Sequence, residues 1–247
     1  MSHKIVVVYQ SLLGIYGDQG NAQVLTKRLH WRGIDAELVV VEPGQEVPTD
    51  GLIYLLGGGE DRAQSAAVAE LKADGGIFRA LDAGGILFAV CAGYQICGKT
   101  YTVGGRDEVK KGLGLLDVET RRGPQRAVGE ILTSWQAPDG ASHLITGFEN
   151  HAGYTSLGSD AKPVAKVEIG IGNGDGFDGA QQGRVIGVYP HGPILPRNPR
   201  FADYLLEKAL GHELPALDHP VTAEHKMLRE RRIHVVKTTK DRAKQTR

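Results

Sequence analysis

The chain has 247 residues, 41% of them hydrophobic and 23% charged, which is the balance of an ordinary globular protein with room for a full core. Lys+Arg and Asp+Glu stand at 29 each, so no global field argues for nucleic acid as a partner. Two cysteines exclude a disulfide framework, and with nine scattered histidines they give no zinc-ligand spacing, so no metal site is expected.

The first apolar run, "IVVVY" (5–9), is too short for a signal segment or a membrane span and reads as a strand. A cytosolic protein with reduced thiols is the expectation. A glycine-rich loop, "LLGIYGDQGN", leads to a helix from about Asn21 to Arg32 that stops at Gly33. "AELVVV" (36–41) and "LIYLL" (52–56) are further apolar strands, the second ending in Gly57–Gly59. A helical stretch over about Asp61–Ala83 breaks near Gly75 and Gly76, and "GILFAV" (85–90) is a buried strand that stops at Cys91. Continuous apolar strands alternating with helices predict an α/β fold, with a parallel sheet covered on both faces. In such sheets ligands gather beyond the carboxyl ends of the strands, where Cys91, Gly57–Gly59 and the 10–21 loop all fall.

The middle of the chain differs. "LGLLDVETR", "AVGEILTSW", "HLITGFE", "PVAKVEIGIG" and "RVIGVYP" are strand-like runs joined by turn residues with little helix between them, which predicts an antiparallel extension of the same sheet. A helix at about Phe201–Leu210 ends at Gly211. Another begins near Thr222 and precedes the basic tail "KTTKDRAKQTR". The expected division is a main domain over 1–212, with 213–247 as a C-terminal helix and tail.

A strand that feeds a helix through a tight turn exposes the turn residue above the sheet, and the helix aims its N-terminal N–H groups at that side chain. Cys91 sits at such a turn, and the setting favours thiolate over thiol. Ala92 and Gly93 are small enough to let backbone amides approach a substrate. Cys97, between Ile96 and Gly98 inside the following helix, reads as a core cysteine. A cysteine nucleophile needs a base close in space. His191 in "VIGVYPHGPILPRNP" reaches a proline- and glycine-bracketed loop at a strand's carboxyl end, and His151 in "FENHAGYT" is its rival.

"VCAGYQICG" resembles the nucleophile motif C-[GA]-G-x-Q of class I glutamine amidotransferases, closest to their CobB/CobQ-like branch. "YLLGGGEDR" is similar to that branch's strand and glycine loop. "SLLGIYGDQGN", "GFENHAGYT" and "PHGPILPRNP" resemble the glutaminase subunits of lipid II isoglutaminyl synthases, and the likeness spans about residues 4–212. The resemblance implies a class I amidotransferase-like fold and hydrolysis of L-glutamine. It implies a heterodimer with a Mur-ligase-like, ATP-dependent subunit that uses the ammonia to amidate the D-Glu α-carboxyl of a lipid-linked peptidoglycan precursor. ATP and Mg would belong to that partner, with no cofactor in this chain.

In residue terms the resemblance implies Cys91 as nucleophile, His191 as acid and base, and Arg126 as the anchor of the glutamine α-carboxylate. Backbone N–H groups of Gly58 and Ala92 would hold the oxyanion. Two departures stand out. Many class I enzymes carry a carboxylate two residues beyond the histidine, but here that position is Pro193, leaving Asp18 and Glu149 as stand-ins. Ala92 occupies a place where glycine is common. "GGGEDR" lacks the spacing and the lysine of a P-loop, so no nucleotide site is expected. The basic tail reads first as a solvated, disordered end, with docking to the partner or to an anionic membrane surface as the functional alternative. Two alternatives remain: a corrinoid-type carboxylate as acceptor, or a catalytically silent binding subunit.

Overall fold

The computed structural model describes residues 2–14, 17–104 and 107–245, with side chains through Thr239. The N-terminal part runs β1 (His3–Val8), α1 (Gln10–Leu13), α2 (Gln19–His30), β2 (Ala36–Val41), β3 (Gly51–Leu56), α3 (Asp61–Asp74), α4 (Gly76–Asp82), β4 (Ile86–Val90) and α5 (Ala92–Cys97). The middle contributes β5 (Thr100–Val103), β6 (Glu108–Lys111), β7 (Val118–Gln136), β8 (Ser142–Leu157), β9 (Ala165–Ile169) and β10 (Phe177–Asp178). The chain closes with β11 (Ala180–Gln182), β12 (Val185–Val188), α6 (Ile194–Arg197), α7 (Pro199–Leu210) and α8 (Val221–Gln245).

The first sheet has the order β11-β12-β4-β3-β1-β2 and is parallel except at β11. Its central strands are buried along their length, as all five residues of β4 are, because helices cover both faces. The expected break in the long helical stretch falls at Gly75. That residue adopts φ +68°, which favours glycine, and its N–H caps Leu71 O at 3.0 Å. The mostly parallel α/β architecture is that expected from the strand and helix pattern.

The antiparallel runs are placed differently from the expectation. Only the three-residue β11 extends the first sheet, while the rest form a second sheet, β10-β9-β7-β5-β6, with β8 paired to β7. The reason is local pairing. β7 and β8 are long enough to satisfy each other's backbone groups from Val118↔Leu157 to Gln136↔Ser142, and β11 already occupies the edge beside β12. Two isolated bridges, Phe148↔His191 and Lys162↔Gln181, stitch the sheets together. Phe201 of α7 adds an aromatic clamp. Its ring lies 6.0 Å from Phe88 of β4 and 5.1 Å from Trp135 of β7.

The C-terminal segment also departs from the sequence reading. Helix α8 continues through Gln245 rather than ending before the basic tail. No Gly or Pro interrupts 221–245, and Lys, Arg, Ala and Gln are good helix formers. The helix packs against β7 of the second sheet, with an Arg232–Glu130 ion pair of 3.1 Å, and Val236 is buried. Among the described residues no helix is long and apolar enough to cross a membrane.

Candidate active site

Cys91 is the single residue between β4 and α5, at φ +51° and ψ −105°. A side chain there costs on the order of 1–3 kcal/mol of backbone strain. The conformation is held from both sides, since Cys91 N–H donates to Val188 O at 2.8 Å and Cys91 O accepts from Gln95 N–H at 3.0 Å. Gly93 lets α5 stand flush against β3. Its N–H donates to Gly57 O at 3.0 Å, and a Cβ there would lie 2.6 Å from Leu56 O. Cys97, at the far end of α5, is fully buried, and burial pushes its thiol well above the usual range. It is a core residue, as its flanks suggested.

His191 follows β12 and is pinned by the bridge to the second sheet, donating its N–H to Phe148 O at 2.8 Å. Its Nδ1 lies 3.2 Å from Asp18 Oδ2, and the Cys91 thiol stands near enough to act on the ring's charge. Burial alone would lower the imidazole's pKa, but the Asp18 hydrogen bond, the Cys91 thiol and the charges beside it prevail and raise it from 6.5 to about 10. Asp18, just before α2, thus supplies a carboxylate where the histidine loop has Pro193. The approach depends on Gly20, whose absent Cβ would sit 2.5 Å from Pro193 Cγ. Cysteine, imidazole and carboxylate stand in sequence as a nucleophile–base–orienter chain.

Glu149 and His151 pair with each other instead. Glu149 accepts the N–H groups of Ile171 and Gly172, each at 2.9 Å, and stands 3.5 Å from His151 Nε2. His151 Nδ1 lies 2.8 Å from Gly153 O, and its ring stacks on Tyr189 with centroids 3.7 Å apart. Both ring nitrogens therefore face groups other than the Cys91 thiol, although His151 lines the same cavity.

That cavity, about 140 Å³, brings together Cys91, Arg126, Gln64, Gln95, Asn150 and His151. Arg126 donates from Nε to Asn150 Oδ1 at 2.9 Å, and among the described residues it has no carboxylate partner. Its neighbour Arg122 is instead paired with Asp107 and donates to Gly104 O at 2.6 Å. Ala92 opens α5, so its N–H has no partner inside the helix. Gly58 is placed otherwise than as an open oxyanion donor. Its N–H donates to Asp18 Oδ2 at 2.8 Å, because the carboxylate that orients His191 also caps the glycine loop. A larger cavity of about 520 Å³ beneath α8 touches neither Cys91 nor His191. Among the described residues no group of three or more His, Cys, Asp or Glu could hold a metal ion.

Several residues that shape the site escaped the sequence reading. Gln95 donates from Nε2 to Tyr189 OH at 3.4 Å and accepts from Gln64 Nε2 at 3.0 Å, and Tyr189 OH in turn meets Thr155 Oγ1 at 2.6 Å. Asn198 bonds to the backbone of Thr146 and Ile194, and Asn21 Oδ1 accepts Leu195 N–H at 2.9 Å, so both hold the segment after His191. The available signal was polar side chains set within apolar runs, as in "AGYQICG".

A family model described as the CobB/CobQ-like glutamine amidotransferase domain matches residues 4–199. Subunit GatD of the glutamine-hydrolysing lipid II isoglutaminyl synthase of Staphylococcus aureus (strain N315) is 36% identical over 201 residues, covering 80% of each chain. The subunit of the same name from Streptococcus pneumoniae is 31% identical, over 83% of this chain and 80% of its own. A cobyric acid synthase from Sphingopyxis alaskensis is 34% identical over 70% of this chain but only 34% of its own length. Among solved structures, a glutamine amidotransferase superposes with a TM-score of 0.56 at 25% identity, covering 83% of this chain and 98% of that one. One from Thermotoga maritima, at 13% identity and a TM-score of 0.51 over 85% of this chain and 83% of its own, shares the fold.

Proposed function

The chain belongs to the CobB/CobQ-like glutamine amidotransferase family, and from that membership we propose that it is the glutaminase subunit of a lipid II isoglutaminyl synthase. Both GatD relatives align over four-fifths of their length, whereas the cobyric acid synthase aligns over a third, which favours the peptidoglycan precursor over a corrinoid as acceptor. The observation that carries the chemistry is the chain Cys91–His191–Asp18 beside a cavity holding an arginine that, among the described residues, has no carboxylate partner.

Glutamine enters with its α-carboxylate on Arg126, whose planar fork suits two oxygens. Cys91 gives its thiol proton to His191 as Sγ attacks the side-chain carbonyl carbon, and the oxyanion forms beside the Ala92 N–H. His191 hands a proton to the departing nitrogen, ammonia leaves, and a thioester remains. His191 then takes a proton from water, which attacks the thioester carbon. The C–S bond breaks as His191 returns that proton to sulfur, and glutamate is released with the thiol restored. Asp18 keeps Nδ1 of the ring protonated, so that the other nitrogen faces the sulfur. Ammonia passes to a Mur-ligase-like subunit, which uses ATP to amidate the D-Glu α-carboxyl of the lipid-linked precursor at the inner face of the membrane.

The test is ammonia release from L-glutamine by the chain alone and with its ligase subunit. Cys91→Ala and His191→Ala should each abolish it, and amidation of the lipid-linked precursor should then require added ammonium. Turnover that survives either substitution would remove the proposed site, and amidation supported equally well without this chain would remove the partnership.

A further inference from the structure

We propose that Gln64 reads the α-ammonium group of the bound amino acid, with Oε1 as the acceptor. This rests on glutamine being the substrate. Gln64 is 4% exposed and lines the cavity that contains Cys91. Its amide is oriented by a chain of bonds. Tyr189 OH receives Gln95 Nε2, which turns Gln95 Oε1 toward Gln64, and Gln64 Nε2 donates to it at 3.0 Å. With the nitrogen so used, Oε1 is left as a buried acceptor with no hydrogen-bond partner among the described residues. A buried carbonyl oxygen without a donor is costly to maintain, and in a ligand cavity it is a place for a ligand N–H.

The surrounding charges identify that N–H. Glu60 and Asp61, at the start of α3, line the cavity on the same segment as Gln64. Asp61 is committed to the Gly104 N–H at 2.6 Å, whereas the Glu60 side chain has no hydrogen bond or ion pair among the described residues. The wall built by β7 carries Arg122 and Arg126. One cavity therefore offers guanidinium from β7 and oxygen acceptors from α3, the complement of a zwitterionic α-amino acid. With the carboxylate on Arg126 and the ammonium on Gln64, the side-chain amide is left for Cys91. Gln64 is a specificity residue and moves no proton in the reaction.

The experiment compares ammonia release from L-glutamine and from 4-carbamoylbutanoate, which is glutamine without its α-amino group. The wild type should prefer glutamine in kcat/KM by about 10- to 100-fold, the range for a hydrogen bond to a charged donor. Gln64→Met should erase most of that preference, raising KM for glutamine by far more than it lowers kcat/KM for the analogue. Gln64→Glu, which keeps an acceptor oxygen at the same reach, should retain it. Equal loss on both substrates in Gln64→Met would assign Gln64 a structural role and overturn the proposal. Parity of the two substrates in the wild type overturns it with no variant needed, even should the methionine variant not fold. Wild-type chain that releases no ammonia from glutamine, alone or with its ligase subunit, would instead remove the substrate reading beneath it.

Discussion

His191 is held in balance by opposing effects, with burial favouring the neutral ring and Asp18 and Cys91 favouring the cation. Its folded pKa of about 10 lies above the free value of 6.5, so the stability it contributes is complete below about pH 6.5 and is lost as pH rises toward 10. Thermal melting should therefore fall across that window in the wild type and fall less steeply in Asp18→Asn. The same variant should lower kcat by about 10³-fold, since an asparagine N–H facing Nδ1 selects the wrong tautomer. Activity within a few-fold of wild type would show that Asp18 does not orient the ring. Asp178 is a second buried titrating group. Burial raises its carboxyl from 3.8 to about 7, helped by Glu149 and Asp175 and opposed by hydrogen bonds from the Tyr189 and Gly179 N–H groups. The raised value again places the stabilising contribution at low pH, here lost between about 4 and 7. Melting curves of Asp178→Asn should lack that decline, and an unchanged slope would mean the carboxyl titrates normally.

At the scale of the element, the turn between β4 and α5 stores strain that function uses. Glycine relaxes at φ +51°, so Cys91→Gly should unfold at higher urea than Cys91→Ala by about 1 kcal/mol, although both lack the nucleophile. Equal midpoints would mean that the conformation is not strained. Gly93→Ala should behave oppositely, since its new methyl meets Leu56 O at 2.6 Å and α5 must shift. A loss of about 1–3 kcal/mol is expected, with ammonia release falling alongside it. The turn was legible in "GILFAVCAGYQICG" because strand, hinge and helix are consecutive and their periodicities differ. The β7–β8 pair was legible as strands but not as a separate sheet, because a strand's sequence pattern does not name its neighbour.

For the whole molecule, α8 lies over the second sheet, away from Cys91, and closes the 520 Å³ cavity lined by Trp135. A chain ending after Pro220 should keep its glutaminase rate, while Trp135 moves to a wetter environment and its fluorescence shifts to the red. A lost glutaminase rate in a folded truncated chain would tie α8 to the active site. Two sheets, one clamp at Phe201 and the bridge at His191 make the site a product of both halves of the chain.

The sequence by itself determined the parallel α/β core, the perched cysteine and the glycine loop beside it, because local periodicity and turn chemistry act over a few residues. It offered two histidines and two acids without ranking the acids. Only tertiary structure paired His191 with Asp18, 173 positions away, turned His151 toward Glu149, and drew the Gly58 N–H onto the same carboxylate. Those choices depend on which loops meet above the sheet's edge, and the small residues that let them meet, Gly20 against Pro193 among them, act through space rather than along the chain.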